Sequence, residues 1–126
     1  MTPQDFIAKW SPGGPAFYLN EEQGAQSHFI DLCDLLGVPK PGSEDGYLFE
    51  KKTLETRVVG EARGYADVFK RGSFAWENKA PRRNLDSALK QLLNSNSGLS
   101  KPPILVVCNR LKIQVQTQFI GLPIKN

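Results

Sequence analysis

Only two cysteines and one histidine occur among 126 residues. Cys33 and Cys108 each sit inside an apolar pattern, Leu32-Cys33 and Val106-Val107-Cys108, and no Cys-x-x-Cys or His/Cys cluster is present. That composition excludes a zinc module and a disulfide scaffold: both thiols read as small buried groups in a reduced, cytoplasmic chain. The lone His28 reads as part of a helix surface or the edge of the core. Long hydrophobic runs are also missing. The longest, Ile104 to Cys108, is far too short to cross a bilayer, and the polar Thr2-Pro3-Gln4-Asp5 after Met1 gives no secretory leader, so no membrane partner is expected. Internal repeats and low-complexity linkers are absent. The charge excess is small, +3 with a pI near 9.0, too weak by itself to establish nucleic-acid binding.

What is present is ordinary globular material, 40% hydrophobic and 23% charged, in a length that suits one domain with a real core. Thr2-Pro3-Gln4-Asp5 is a helix start, with a capping hydroxyl, Pro at the first helical position and an acid near the positive end of the dipole. Ser11 to Pro15 ends that helix. A second begins at the cap Asn20 with Gln23 as capping-box partner, carries Ala25, Phe29, Leu32, Cys33 and Leu36 at helical spacing, and stops at Gly37. Tyr47 to Glu50 and Thr56 to Val59 supply material for a first strand. Asn84 caps a later helix whose Leu85, Ala88, Leu89, Leu92 and Leu93 make one apolar stripe, and Ile104 to Cys108 and Lys112 to Thr117 read as a buried and a half-buried strand. The order predicts an α/β fold, a mixed central sheet flanked by helices in αβββαββ order. Residues 1–126 form one domain in this scheme, with 1–19 an N-terminal helix and linker and 20–120 the core.

The stretch from Gly64 to Pro81 carries the chemistry. Tyr65, Val68 and Phe69, then Phe74 and Trp76, read as a tight hairpin about Gly72. Glu77 and Lys79, two apart, share a face. If the loop is Arg71-Gly72-Ser73, Lys70 pairs with Phe74 and Asp67 falls opposite Glu77; a four-residue loop would separate the acids unless a bulge corrected the register. Two adjacent carboxylates repel, and a hard divalent cation resolves the conflict: Mg²⁺ is usually held by one or two carboxylates, waters and phosphate oxygens. The Asn78 carbonyl could add an oxygen, and Lys79 would lie where water meets a phosphate. Lys70, Arg71, Lys79, Arg82 and Arg83 fall within fourteen residues and suit a polyanion. The bland alternative is a solvated hairpin face. Glu50-Lys51-Lys52 also reads Glu-x-Lys, but its only nearby upstream acid, Asp45, sits in a loop, so it lacks an acid on a partner strand. Glu21, in the first turn of the second helix, could point toward the site or be a dipole-favourable surface acid.

Asp67, nine intervening residues and Glu77-Asn78-Lys79, in this order of elements, resemble the PD-(D/E)xK nuclease superfamily. The details are more similar to the N-terminal endonuclease domain of MmeI-like type IIG/IIL restriction-modification enzymes, which join a nuclease to an adenine-specific DNA methyltransferase. The stretches carrying the likeness are Thr2 to Trp10, Gln26 to Gly37, Gly64 to Val68, Trp76 to Lys79, Gln91 to Leu93 and Pro102 to Cys108. The resemblance implies Asp67 and Glu77 as Mg²⁺ ligands and Lys79 as the catalytic lysine, with Mn²⁺ an alternative metal and Glu21 and Gln91 as auxiliary candidates. Ser95 stands where many relatives carry an aromatic residue, and Asn78 differs from the aromatic residue often found between the Glu and the Lys. Such enzymes continue into a helical spacer, a methyltransferase and a target-recognition domain. No Asn-Pro-Pro-Tyr-type motif occurs here, so the chain reads either as the N-terminal fragment of such an enzyme or as a standalone relative, and S-adenosylmethionine is expected only in the methyltransferase part of a longer protein.

The expected function is therefore Mg²⁺-dependent hydrolysis of double-stranded DNA, with sequence choice supplied by further domains in cis and two copies, as a transient dimer, needed to cut both strands. Lys70, Arg71, Arg82 and Arg83 are the candidate DNA contacts. A structure-selective or end-processing nuclease of the same fold predicts preference for junctions or free ends. A catalytically silent DNA-binding module predicts affinity with a steep salt dependence and no metal-dependent product.

Overall fold

The computed structural model describes residues 1–19, 21–53, 64–95 and 99–118, with backbone only at 21–23, 51–53 and 64. Helix α1 spans Pro3–Trp10, and its start is a capping box: the Thr2 hydroxyl accepts from the Asp5 N–H and the Asp5 carboxylate from the Thr2 N–H. Helix α2 spans Glu21–Leu36. The capping box expected at Asn20 and Gln23 lies outside the described residues. At the other end the Gly37 N–H donates to Asp34 and the Val38 N–H to Cys33, so two orphan carbonyls are satisfied as the chain turns away.

Five strands follow: β1 Tyr47–Thr53, β2 Gly64–Lys70, β3 Phe74–Asn78, β4 Ile104–Cys108 and β5 Ile113–Thr117, with helix α3, Leu85–Asn94, between β3 and β4. They form one sheet in chain order in which β3 and β4 run parallel and every other pair is antiparallel. The α/β fold with a mixed sheet flanked by helices is as expected, and it is consistent with a restriction-endonuclease-like core. The second candidate segment for the first strand, Thr56 to Val59, and the tail from Gly121 lie outside the described residues.

Side chains alternate across the sheet, so each face has its own core. Helix α3 covers one face, where Leu85, Ala88, Leu89 and Leu92 pack on Phe69, Ala75, Leu105 and Val107. Burying each leucine contributes roughly 1.5–3 kcal/mol. Leu93 is 37 % exposed and leaves the predicted stripe, because at 100° per residue it falls on the rim of the arc that the other four share. Helix α2 covers the second face with Phe29 and Cys33 against Val68, Trp76, Val106 and Cys108, Phe29 meeting Trp76 edge to face at 5.0 Å. Both thiols are buried, which pushes each above its ordinary range. In β5 the expected half-burial does not hold. Ile113 and Val115 pair with Cys108 and Val106 but stay exposed, since β5 lies at the sheet edge. Among the described residues no helix is long and apolar enough to cross a membrane.

Helix α1 is fastened to α2 through Asp31, which accepts from the Trp10 indole at 2.9 Å and pairs with Lys9 at 2.8 Å. Arg110, beyond β4, ties in the connecting turns: its guanidinium donates to the Phe17 carbonyl at 2.7 Å and lies so close over α2 that a Cβ at Gly24 would collide with it. Between the helices His28 is buried against the rings of Phe6 and Trp10, at 5.3 and 4.9 Å. Burial foremost, then the Arg110 charge, lowers it to about 4, against the smaller upward pull of Asp31. An unfolded chain protonates this imidazole near its ordinary 6.5, so below that pH the unfolded state binds the extra proton and stability falls. The loss expected between pH 6.5 and about 4 is roughly 3 kcal/mol. Urea unfolding across that window should show it, and His28→Leu should flatten this part of the pH dependence.

Candidate active site at the end of the central hairpin

The loop of the β2–β3 hairpin is Arg71-Gly72-Ser73, with Gly72 at φ +73°, a turn conformation that favours glycine. Lys70 pairs with Phe74, Phe69 with Ala75 and Val68 with Trp76, the register expected from the three-residue loop. One step further the pairing stops. There the Asp67 side chain replaces the backbone: its Oδ2 accepts from the Asn78 N–H at 2.6 Å, while its Oδ1 accepts from the Tyr65 hydroxyl at 2.7 Å. In an extended residue the N–H and C=O point to the same side, so the Asn78 carbonyl also faces this fork between the strands.

Strand β2 breaks its alternation here. Ala66 packs in the α3-side core and Val68 in the α2-side core although they are two residues apart. Across the ladder, Phe49 pairs with Val68 and Lys51 with Ala66, which sets Glu50 opposite Asp67 at the one step the register skips, and Glu50 takes φ +54°, uncommon for a residue with a side chain. At this irregular step Glu50 stands across from Asp67, and both residues line the same cleft.

Glu50, Tyr65, Asp67, Glu77 and Lys79 line a cleft of about 320 Å³, closed on one side by Ala25 and Gln26 of α2. Glu77 is only 8 % exposed. Burial first, then the hydrogen bond to Asp67 and the negative charges of Asp67, Glu77 and Glu50, raises the Tyr65 phenol, so it remains a protonated donor. Lys79 follows the last residue of β3. Its N–H donates to the Cys108 carbonyl at 2.7 Å, extending the parallel pairing, and its ammonium donates to Gln91 Oε1 on α3 at 3.0 Å. The Asn78 side chain accepts from the Trp76 indole at 3.0 Å, which fixes the residue between the Glu and the Lys. Among the described residues, no group of three or more His, Cys, Asp or Glu is arranged to hold a metal ion.

Asp67, Glu77, Asn78, Lys79 and Gln91 are thus brought together. Glu21 opens α2 and its side chain lies outside the described residues, although Ala25 one turn later lines the cleft. Lys70 and Arg71 are not brought to the acidic pair. They stand at the hairpin tip, three or more residues along the strand and so about 10 Å away, paired with Glu44 at 3.3 Å and Asp45 at 3.5 Å. Arg82 and Arg83 follow the site, exposed. Two residues were missed by sequence reasoning. Tyr65 was legible as the strand neighbour two before an acid, on its side of the sheet. Glu50 was not, because its pairing with β2 depends on a register that the long intervening segment hides.

Removing the Tyr65 hydroxyl with Tyr65→Phe should cost roughly 1–2 kcal/mol in urea unfolding, because a partly buried carboxylate loses a donor; Tyr18→Phe, at an exposed ring, should cost nothing measurable. No curated protein and no solved structure matches the chain. The model of one family, described as MmeI, N-terminal domain, matches residues 1–120. That span includes the capped first helix, the forked hairpin with Asp67, Glu77 and Lys79, and every strand of the sheet, so the chain belongs to the family of MmeI-like N-terminal domains.

Proposed function

We propose that the chain is a metal-dependent DNA endonuclease module, the cleavage domain of a restriction-modification enzyme whose sequence choice is made by other domains. The observation that carries this is the fork at the end of the hairpin. It gathers Asp67, Glu77 and Lys79 in one cleft by spending a backbone pairing position on a carboxylate. Membership of a family named for a restriction enzyme supports the same conclusion.

The donor set fits Mg²⁺, or Mn²⁺ in its place. Two carboxylates and the Asn78 carbonyl are hard oxygen donors, and fewer protein ligands than a closed site needs leave room for water and phosphate oxygens. Asp67 can take part while keeping both hydrogen bonds, since each carboxylate oxygen has a second lone pair. When bound, the ion supplies Lewis-acid polarisation of the phosphoryl group and acidifies water. The chain's own groups do the rest. Tyr65 and the Asn78 N–H fix the Asp67 carboxylate, burial holds Glu77 in place, and Gln91 aims the Lys79 ammonium, which orients water and offsets charge on the phosphoryl oxygens. Water adds to phosphorus, the bond to the 3′ oxygen breaks with a proton passing to that oxygen, and a 5′-phosphate remains.

Nicking of supercoiled plasmid in Mg²⁺ or Mn²⁺ tests this. Asp67→Ala and Lys79→Ala from the same preparation should each lose about 10²-fold or more, and Gln91→Ala, which keeps the lysine but frees it, should lose less. Equal nicking by all variants would expose a contaminant and end the assignment.

A further inference from the structure

The cations of this chain are not equivalent. Lys9, Lys70 and Arg71 are each matched by a carboxylate, at 2.8, 3.3 and 3.5 Å. Arg82, Arg83 and Lys112 are in no ion pair among the described residues, yet all three line one cleft of about 380 Å³ between the loop after Lys79 and the turn joining β4 to β5. Among the described residues Asp86 is the only acid of that lining, so three cations there meet one carboxylate. Folding gains nothing from such repulsion; a polyanion does.

One buried side chain builds the cleft. Asn109, 5 % exposed, donates through Nδ2 to the Arg83 carbonyl at 2.8 Å, and its Oδ1 accepts from the N–H groups of Leu111 at 3.1 Å and Lys112 at 2.9 Å. The backbone N–H of Asn109 donates to the Lys112 carbonyl at 3.1 Å, closing the turn. A single residue therefore sets the separation of two cationic segments distant in sequence. Arg82, at φ +68°, lays its guanidinium over the Phe17 ring at 5.2 Å and borders the same space. The start of α3 adds little attraction, since the Asn84 side chain already accepts from the Asp86 N–H and Asp86 brings its own negative charge. Position completes the case. The Lys79 N–H is anchored on the Cys108 carbonyl, and Asn109 is the next residue, so the cleft opens one residue beyond the peptide that holds the candidate catalytic lysine.

We infer that this cleft seats the phosphodiester backbone of the DNA strand beside the scissile phosphate, with Arg83 and Lys112 as phosphate contacts and Asn109 as the residue that positions them. The arginine fork can grip two phosphate oxygens and the lysine acts as a point charge. The choice of DNA as the polyanion rests on the endonuclease assignment; the cleft and its charge do not. The hairpin tip, whose cations are already paired, contributes no phosphate contact.

Fluorescence anisotropy with a labelled DNA duplex, in Ca²⁺ and at several salt concentrations, tests this without cleavage. Arg83→Ala and Lys112→Ala should each weaken binding severalfold and lower the slope of log affinity against log salt by about 0.9, while Arg83→Lys should restore the slope and Lys70→Ala should leave it unchanged. Thermal unfolding of each variant verifies that the fold is kept. Unchanged slopes in both alanine variants, a wild-type chain with no DNA affinity at low salt, or tighter binding to an RNA duplex of the same sequence would each overturn the inference. Binding with these slopes but no nicking would instead overturn the endonuclease assignment and leave the cleft standing.

Discussion

The hydrogen bond from the Asn78 N–H to the Asp67 carboxylate is the constraint on which the site depends. Up to Val68 and Trp76 the hairpin is an ordinary antiparallel ladder; one step later a side chain does what a backbone carbonyl would have done. A buried N–H left unpaired costs as much as a lost hydrogen bond, so the substitution is allowed only because the carboxylate takes the donor over. Around this end of the hairpin Glu77, Tyr65 and Glu50 line one cleft with Asp67. The positive φ of Glu50 and the lost alternation of β2 are the local strain beside it.

The remaining geometry follows from the one parallel pair. β3 and β4 run in the same direction with α3 crossing between them, so their carboxyl ends lie side by side. Lys79 leaves the end of β3 and Asn109 the end of β4, and the Cys108 carbonyl joins the two. Open α/β sheets characteristically place ligands outside the carboxyl ends of parallel strands, where loops diverge and backbone groups are free to be used. Helix α3, packed on the sheet through its leucines, presents Gln91 on its exposed flank to the lysine. The same packing that makes the core therefore aims the catalytic candidate.

Much of this was legible in the sequence where the signal is local. The capped start of α1, the apolar stripe of α3, the hairpin about Gly72 and the two buried cysteines all follow from neighbours within a turn or two of chain. Where the signal was read too broadly, the physical reason is placement rather than composition: Leu93 falls on the rim of a stripe, and Ile113 and Val115 alternate correctly but on an edge strand. Clustering in sequence did not bring Lys70 and Arg71 to the acidic pair in space. Side chains near in the chain to an acidic pair are carried up a strand by about 3.3 Å per residue, and these two end beside other acids.

The sequence by itself picked out Asp67, Glu77 and Lys79 as candidates and the hairpin that joins them, because strand alternation and a short loop are rules of near neighbours, and it left the loop length that sets their register to the structure. Only the tertiary structure decided that Glu50 stands opposite Asp67, that Gln91 receives Lys79, and that Arg83 and Lys112 share a cleft held by Asn109. Those relations join segments separated by long stretches of chain, and their register is set by how helices and strands pack against one another, which no local pattern encodes.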